Sequence, residues 1–570
     1  MKKRNQSFKR WISAKPGWAT DRTRHYRRNL FALLVFGVFL LGCMNSFSQE
    51  ELRPATAEFT FEQFEVVTDS TERQTVLTGF LIGGAMAELA VLNIDENDGR
   101  RLSIYVFADS TWVPTLDATL RPEVLFVDVA NIGGHDRLVT YEPGRLNWFD
   151  PESATERALV AVTSNFNPPR RGEIPHVDVT RDVNGDDRDD LVVPDTDGFW
   201  VFIQMSDGAF ADPVKIGPAT DMSRIYGADG YRYNPWGQSR VYGMDYNRDG
   251  RSDLVFWNED HFEVHLQDER GLFDPAAQTF TTEVAFDSDK LDTLTTGNMA
   301  GKVLHSLTDM NGDDVADLVV FSLQGESISK KRSAYEVHFG AAVDGCTVFS
   351  PDIGLVFKSD ERIQLGMDRQ DFDGDGHVDL MFTTIEVEYL EWSLWKCIKG
   401  FFGDDVWLNL EFYRIEGGSY SDTPNATRRI ALDGAPSPRE PGWVPLDIVL
   451  RGATHERRKT QKSWPRAFNM LLRIGDVTGD GRSDLFIGKN TPNGMDIFVG
   501  VPGPDLFARR PQDVPIVVPN DEEYAWLVDL NRDGKQDILM HDPFTLRDAH
   551  GAPKLPPGTE PHRVTMIVAR

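Results

Sequence analysis

The sequence predicts an all-β protein, a single β-propeller of eight four-stranded blades with seven as the alternative. Three observations carry that expectation. A nine-residue aspartate-rich pattern recurs along most of the 570-residue chain. Each copy runs into an aliphatic segment, and the spacing between copies suits four short strands.

The pattern reads Asp, any, Asn/Asp/Thr, any, Asp, Gly/Asp, any, any, Asp. Its six full copies are Asp182, Asn184, Asp186, Asp187, Asp190; Asp245, Asn247, Asp249, Gly250, Asp253; Asp309, Asn311, Asp313, Asp314, Asp317; Asp371, Asp373, Asp375, Gly376, Asp379; Asp476, Thr478, Asp480, Gly481, Asp484; and Asp529, Asn531, Asp533, Gly534, Asp537. Two degenerate copies precede them. Asp128, Gly133 and Asp136 keep the frame, but Ala130 and Ile132 stand where oxygen ligands belong. Further back Gly84 and Glu88 keep it, with Phe80 and Ile82 at ligand positions. A metal role is expected of neither, and Asp136→Ala is expected to do little.

Counted from the first position, the copies start at 80, 128, 182, 245, 309, 371, 476 and 529. Intervals run from 48 to 64 residues except the 105 between 371 and 476, which must hold insertions, placed at about 386–404 and 432–466. Apolar alternations flank each loop, as at Glu263–Leu266 after the second full copy. A solenoid or a string of domains is the competing architecture. One short stretch near Glu388–Lys399 reads as helical. The last interval supplies three strands, around Tyr524–Val528, Ile538–His541 and Arg563–Val568, so Glu58–Val67 is expected to add the fourth and close the ring.

The loop chemistry points to a cation. Side chains at positions 1, 3 and 5 converge when the backbone curls tightly, and position 6 needs a left-handed conformation that Gly takes freely and Asp tolerates. Position 7 varies (Arg188, Arg251, Val315, His377, Arg482, Lys535), as expected of a residue offering only its carbonyl. The Asp at position 9 closes the shell. Hard oxygen donors in a flexible cage suit Ca²⁺ better than Mg²⁺ or a transition metal, and about six sites are expected. An EF-hand is excluded, because position 12 holds Val193, Phe256, Val320, Phe382, Ile487 and Met540, none of which ligates. Sites of about 10⁻⁴ M would each contribute ~1.4 kcal/mol at about 1 mM Ca²⁺.

Charge and cysteines narrow the partners. Residues 1–42 carry ten Lys/Arg and one acid, which leaves the rest near −38 against a net −29 for the whole chain. Nucleic acid is therefore not the expected partner. Basic residues precede the apolar run Leu30–Leu41, a length that suits a signal peptide better than a membrane span. The run ends Leu40-Leu41-Gly42-Cys43, which resembles the bacterial lipoprotein box. That resemblance implies a signal peptide over 1–42, lipidation at Cys43, a tether over 43–56 and an envelope location, outer membrane or cell surface. Cys346 and Cys397 remain; no disulfide framework or zinc spacing follows from two, and they are not expected to be bonded together. Cys346 is expected beside a third-to-fourth strand turn on the metal face.

The six full loops resemble those of the FG-GAP/VCBS repeats, the integrin-α-type propeller family, over roughly residues 57–570. The resemblance implies a monomeric propeller whose calcium loops share one face. The long segments 386–404, 432–466 and 221–240 then fall on the opposite face. They carry the ligand candidates Trp236, Trp395, Arg457, Arg458, Lys459 and Lys462, a basic and aromatic set suited to a protein or an anionic glycan. The expected function is a non-catalytic, calcium-stabilised binding or adhesion scaffold. The alternative is a carbohydrate-active enzyme, a polysaccharide lyase or hydrolase, although neither Gly-x-Ser-x-Gly nor HExxH occurs.

Overall fold

The computed structural model describes residues 59–68, 74–95, 97–166, 174–219, 232–233, 241–286, 301–325, 332–359, 362–386, 406–416, 419–432, 472–488, 494–516, 525–541 and 563–570. All of their regular structure is strand, and no helix among them is long and apolar enough to cross a membrane. Ala57–Arg570 forms one compact unit.

Eight sheets, each with a core of four antiparallel strands, succeed one another along the chain. Blade 1 is Gln74–Gly79, Glu88–Ile94, Arg100–Ala108 and Thr111–Leu120. Blade 2 is Phe126–Ile132, His135–Glu142, Gly144–Asp150 and Thr155–Val162. The second strands of blades 3 to 7 begin at Asp190, Asp253, Asp317, Asp379 and Asp484, each the last residue of a full loop. Blade 8 takes Ala525–Val528, Asp537–His541 and Arg563–Ala569 from the C-terminus and Phe61–Val67 from the N-terminus. The closing pair is antiparallel, Phe61 opposite Ala569 and Val67 opposite Arg563. Thr60 and Arg570 extend it, the Arg570 N–H donating to the Thr60 carbonyl at 2.9 Å. Eight blades and the N-terminal closing strand are as the repeat predicts; seven blades and a solenoid are ruled out.

The aliphatic run after each loop is continuous because the second strand is covered on both sides. In Asp317–Gln324, Leu318 and Val320 pack toward blade 4, while Val319, Phe321 and Leu323 pack toward blade 6. Strand period two thus feeds two cores rather than one core and solvent. The eight apolar clusters each lie between successive blades. The one joining Leu539 and Met566 of blade 8 to Leu89 and Val91 of blade 1 completes the circle. First strands of neighbours approach each other, as Gln74–Gly79 does Phe126–Ile132, so these strands are innermost.

One feature was not expected. His176–Val177 and Arg232–Tyr233 add in parallel beyond the inner strand of blade 2, giving that sheet six strands.

Candidate metal loops

Each full loop is a turn whose side chains fold back on its own backbone. The position-1 carboxylate accepts the position-6 N–H in all six, at 2.8–3.0 Å. The position-5 carboxylate accepts the position-7 N–H at 2.9–3.1 Å. At position 3, Asn247 Oδ1 and Asp373 Oδ1 each accept the position-5 N–H at 3.2 Å. Every one of these bonds turns a carboxylate or amide oxygen inward. In the fourth full loop one carboxylate oxygen from each of Asp371, Asp373 and Asp375 lies within 4.8 Å of the other two.

Two residues per loop sit in the left-handed region, not one. Positions 4 and 6 both have φ between 57° and 86°. Position 6 was legible in the sequence; position 4 was missed. Glycine at 185, 312, 374 and 479 was its signal, masked by Arg248 and Arg532 at the same place, which take this conformation at some cost.

Position 9 is the anchor. Asp190, Asp253, Asp317, Asp379, Asp484 and Asp537 are all fully buried. One carboxylate oxygen of each accepts the position-2 N–H at 2.8–3.2 Å. In five of them the other oxygen accepts an N–H at the end of the third strand, from Gln204, Gln267, Gly340, Gly500 or Ala569, at 2.7–2.8 Å. This aspartate therefore ties the loop to two strands of its blade. In blade 6 the corresponding Asp379 Oδ1 has no hydrogen-bond partner among the described residues.

Burial pushes these carboxyls up, and the loop's other carboxylates push the same way while the N–H donors oppose. Asp190 and Asp379 rise to about 7, and Asp317, Asp484 and Asp537 to about 6. Asp253 is raised by the same causes. Such a cage lacks positive charge, and a hard divalent cation is the group its oxygen donors fit. Local cations supply part of that charge. Arg482 Nη1 lies 2.7 Å from Asp480, and Arg188 and Arg251 pair likewise with Asp186 and Asp249. The fourth full loop has a carboxylate at position 3, and Arg414 Nη1 meets it, 2.9 Å from Asp373.

The degenerate loops have turned their acids into internal acceptors. Glu88 accepts the N–H groups of Ile82 and Gly84 at 3.1 and 2.9 Å. Asp136 accepts the Phe80 N–H at 2.9 Å, across the seam between blades 1 and 2, and the Asn131 side-chain amide at 2.8 Å. These two bonds argue against the expectation that Asp136→Ala would do little.

A second repeated turn escaped sequence reading. After the third strand, a backbone hairpin ends on a phenylalanine bridged back to the strand: Gln204 with Phe210, Gln267 with Phe273, Gly500 with Phe507. The signal was Gly208, Gly271 or Gly503 a few residues before each phenylalanine. In blade 5 this turn grows into the hairpin Gly340–Val343 with Cys346–Phe349. Cys346 is thus between the third and fourth strands, as expected, and the next residue, Thr347, donates its N–H to the Tyr246 carbonyl in the second full loop at 2.8 Å.

Trp236, Trp395, Arg457, Arg458, Lys459, Lys462, Cys43 and Cys397, with the helical stretch near Glu388–Lys399, lie outside the described residues. The strand ends bordering the two insertions, Glu386 and Leu432, are at the far end of their strands from the metal loop.

The fold and the loops define an eight-bladed β-propeller with six repeated oxygen-lined turns. No family model matches the chain, and no curated protein matches it. Among solved structures, it is similar to the Vibrio cholerae biofilm matrix protein Bap1, at 9% identity over 90% of this chain and 91% of that one, TM-score 0.36. It is similar also to the WD40 domain of SCAP from fission yeast, at 10% identity over 90% and 97%, TM-score 0.32. A third is the Photorhabdus luminescens Tc holotoxin pore, at 12% identity over 86% of this chain, TM-score 0.30; the chain spans 16% of that one's length.

Proposed function

We propose that the chain is a calcium-stabilised binding scaffold of the cell envelope, built from FG-GAP/VCBS-type repeats. The observation that carries this reading is the sixfold recurrence of one cradle, with a buried, charge-deficient carboxylate at its base. Ca²⁺ at those loops would fix the turn between the two innermost strands of each blade. The opposite face is then left for a partner, and its candidate residues Trp236, Trp395, Arg457, Arg458, Lys459 and Lys462 suit a protein or an anionic glycan. Export and lipid attachment at Cys43 would hold the propeller at the membrane as a monomer.

Binding to an acidic-polysaccharide panel (polygalacturonate, alginate, dextran sulfate) and a pull-down from envelope proteins test the partner reading. Neutralising Arg457, Arg458, Lys459 and Lys462 together should weaken binding and flatten its salt dependence, with stability unchanged. An equal number of surface changes on the metal face that spare the ligands should leave binding intact; equal losses from both sets would refute the reading. Turnover of any polysaccharide in the panel would favour an enzyme instead. Cys43→Ser should move the protein out of the membrane fraction.

A further inference from the structure

The six loops occupy consecutive blades, and at every junction between them one blade donates to the loop of its neighbour. Gln267 of blade 4 donates from Nε2 to the Asn184 carbonyl in the blade 3 loop at 2.7 Å. Arg248 donates to the Asp314 carbonyl in the blade 5 loop at 2.7 Å. The blade 5 hairpin returns the contact, Thr347 Oγ1 donating to the Asp245 carbonyl at 3.0 Å. Arg369 of blade 6 donates to the Asp309 carbonyl at 3.2 Å. Ser483 in the blade 7 loop donates from its N–H to the Phe372 carbonyl and from its hydroxyl to the Asp371 carbonyl, at 3.2 and 3.1 Å. The Gln536 N–H in the blade 8 loop donates to the Asp476 carbonyl at 2.9 Å. At two junctions the loops also touch: a Cβ on Gly374 would meet the Gly481 carbonyl at 2.7 Å, and one on Gly479 would meet Lys535 Cγ at 3.0 Å.

We infer that calcium binding at these loops is positively coupled from blade to blade, with Gln267 and Arg369 as positioning residues for the loop of the neighbouring blade. This deepens the calcium reading and rests on it. A cation that orders one loop fixes carbonyls and N–H groups that the adjacent loop also uses, so the second cation meets a loop whose ordering cost is partly met. Repulsion between bound cations opposes this. It is screened over about 8 Å at physiological ionic strength, whereas the hydrogen bonds act at contact. Reciprocity then requires two neighbouring loops to raise each other's affinity by the same factor, about fivefold or more for a coupling of ordinary size.

Equilibrium dialysis with ⁴⁵Ca²⁺ on the purified protein in 0.15 M NaCl tests this. The wild type should bind about six ions with a Hill coefficient above 1. Asp480→Ala, in a loop flanked by full loops on both sides, should remove one ion and raise the half-saturation concentration of the rest. Arg369→Ala changes an exposed side chain that is no ligand. It should keep the stoichiometry and lower the Hill coefficient, and Gln267→Ala should do the same at the junction of blades 3 and 4. Six ions bound with a Hill coefficient of 1, or an Asp480→Ala protein that loses one ion and leaves the others unchanged, would overturn the coupling while the calcium reading stands. A protein that binds no calcium overturns both.

Discussion

His176 Nε2 lies 2.9 Å from Asp128 Oδ1, in a loop position that elsewhere belongs to the metal pattern. The other oxygen of Asp128 accepts the Val179 N–H and the Thr180 hydroxyl, each at 2.8 Å. The carboxylate therefore keeps its place at the head of the repeat and is engaged by hydrogen-bond donors from the chain that leads into blade 3. Asp136, at the other end of the same loop, is engaged likewise toward blade 1.

Asp128→Ala should lower stability by about 1–3 kcal/mol, since the buried Val179 N–H loses its acceptor, and Asp136→Ala, whose donors are only partly buried, by less. The loss should be the same in calcium and in chelator, read as the shift in urea midpoint under both conditions. A loss seen only with calcium present would mean that blade 2 binds the ion after all.

The full loops should behave in the opposite way. Chelator should lower the melting temperature of the wild type substantially, because any ligand specific to the folded state stabilises it by mass action. Asp249→Ala and Asp375→Ala should each remove part of that difference, on the order of 1–2 kcal/mol at about 1 mM Ca²⁺. In chelator the same variants should be close to the wild type. An unchanged wild-type melting temperature in chelator would refute structural calcium.

The buried position-9 carboxyls give the metal-free protein a pH signature. Asp190, Asp379, Asp317, Asp484 and Asp537 titrate near 6 to 7 when folded, against an ordinary value of 3.8. Between those limits the folded chain holds more protons than the unfolded one, so its stability falls as pH rises. Buried His265 and His338 are shifted down and act in the opposite sense below pH 6.5, but they are outnumbered. In chelator the protein should therefore melt higher at pH 5.5 than at pH 7.5. Saturating calcium should flatten or reverse that slope, since the cation stabilises the ionised carboxylates. Calcium-independent pH profiles would place the ion elsewhere.

The ring was legible because its repeat is written in residues whose roles are local. Aspartate at position 9 and the aliphatic run after it mark the start of a second strand in every blade with a full loop, and the Glu58–Val67 segment could be assigned by counting strands. What escaped was non-local. Nothing about Asp136 itself announces that Phe80, in the previous blade, will donate to it. Nor does the sequence around His176 or Arg232 reveal that the first segment pairs with the inner edge of blade 2 and the second with the first. Position 4 of the loop escaped for a different reason: two arginines accept there a backbone conformation that glycine would advertise.

Strand length should decide where removal of calcium is felt first. Blade 1, without a full loop, has strands of 6, 7, 9 and 10 residues, and blade 2 has 7, 8, 7 and 8 in its four main strands. Blade 3 has only 2, 6, 5 and 3, blade 4 has 4, 6, 5 and 3, and blade 7 has 4, 5, 4 and 3. A short ladder offers few hydrogen bonds to hold a blade once its turn is loosened, so local opening should begin in these three. Amide hydrogen exchange in calcium and in chelator checks this strand by strand. Removing calcium should speed exchange most in Asp190–Asp195, Asp253–Asn258 and Asp484–Gly488. It should leave Glu88–Ile94 and His135–Glu142 nearly unchanged until the whole ring unfolds. Blades 5 and 6, which combine full loops with inner strands of 8 and 9 residues, should respond in between. Uniform acceleration across all eight blades would mean that the ring opens as one unit and that ladder length does not decide where it yields.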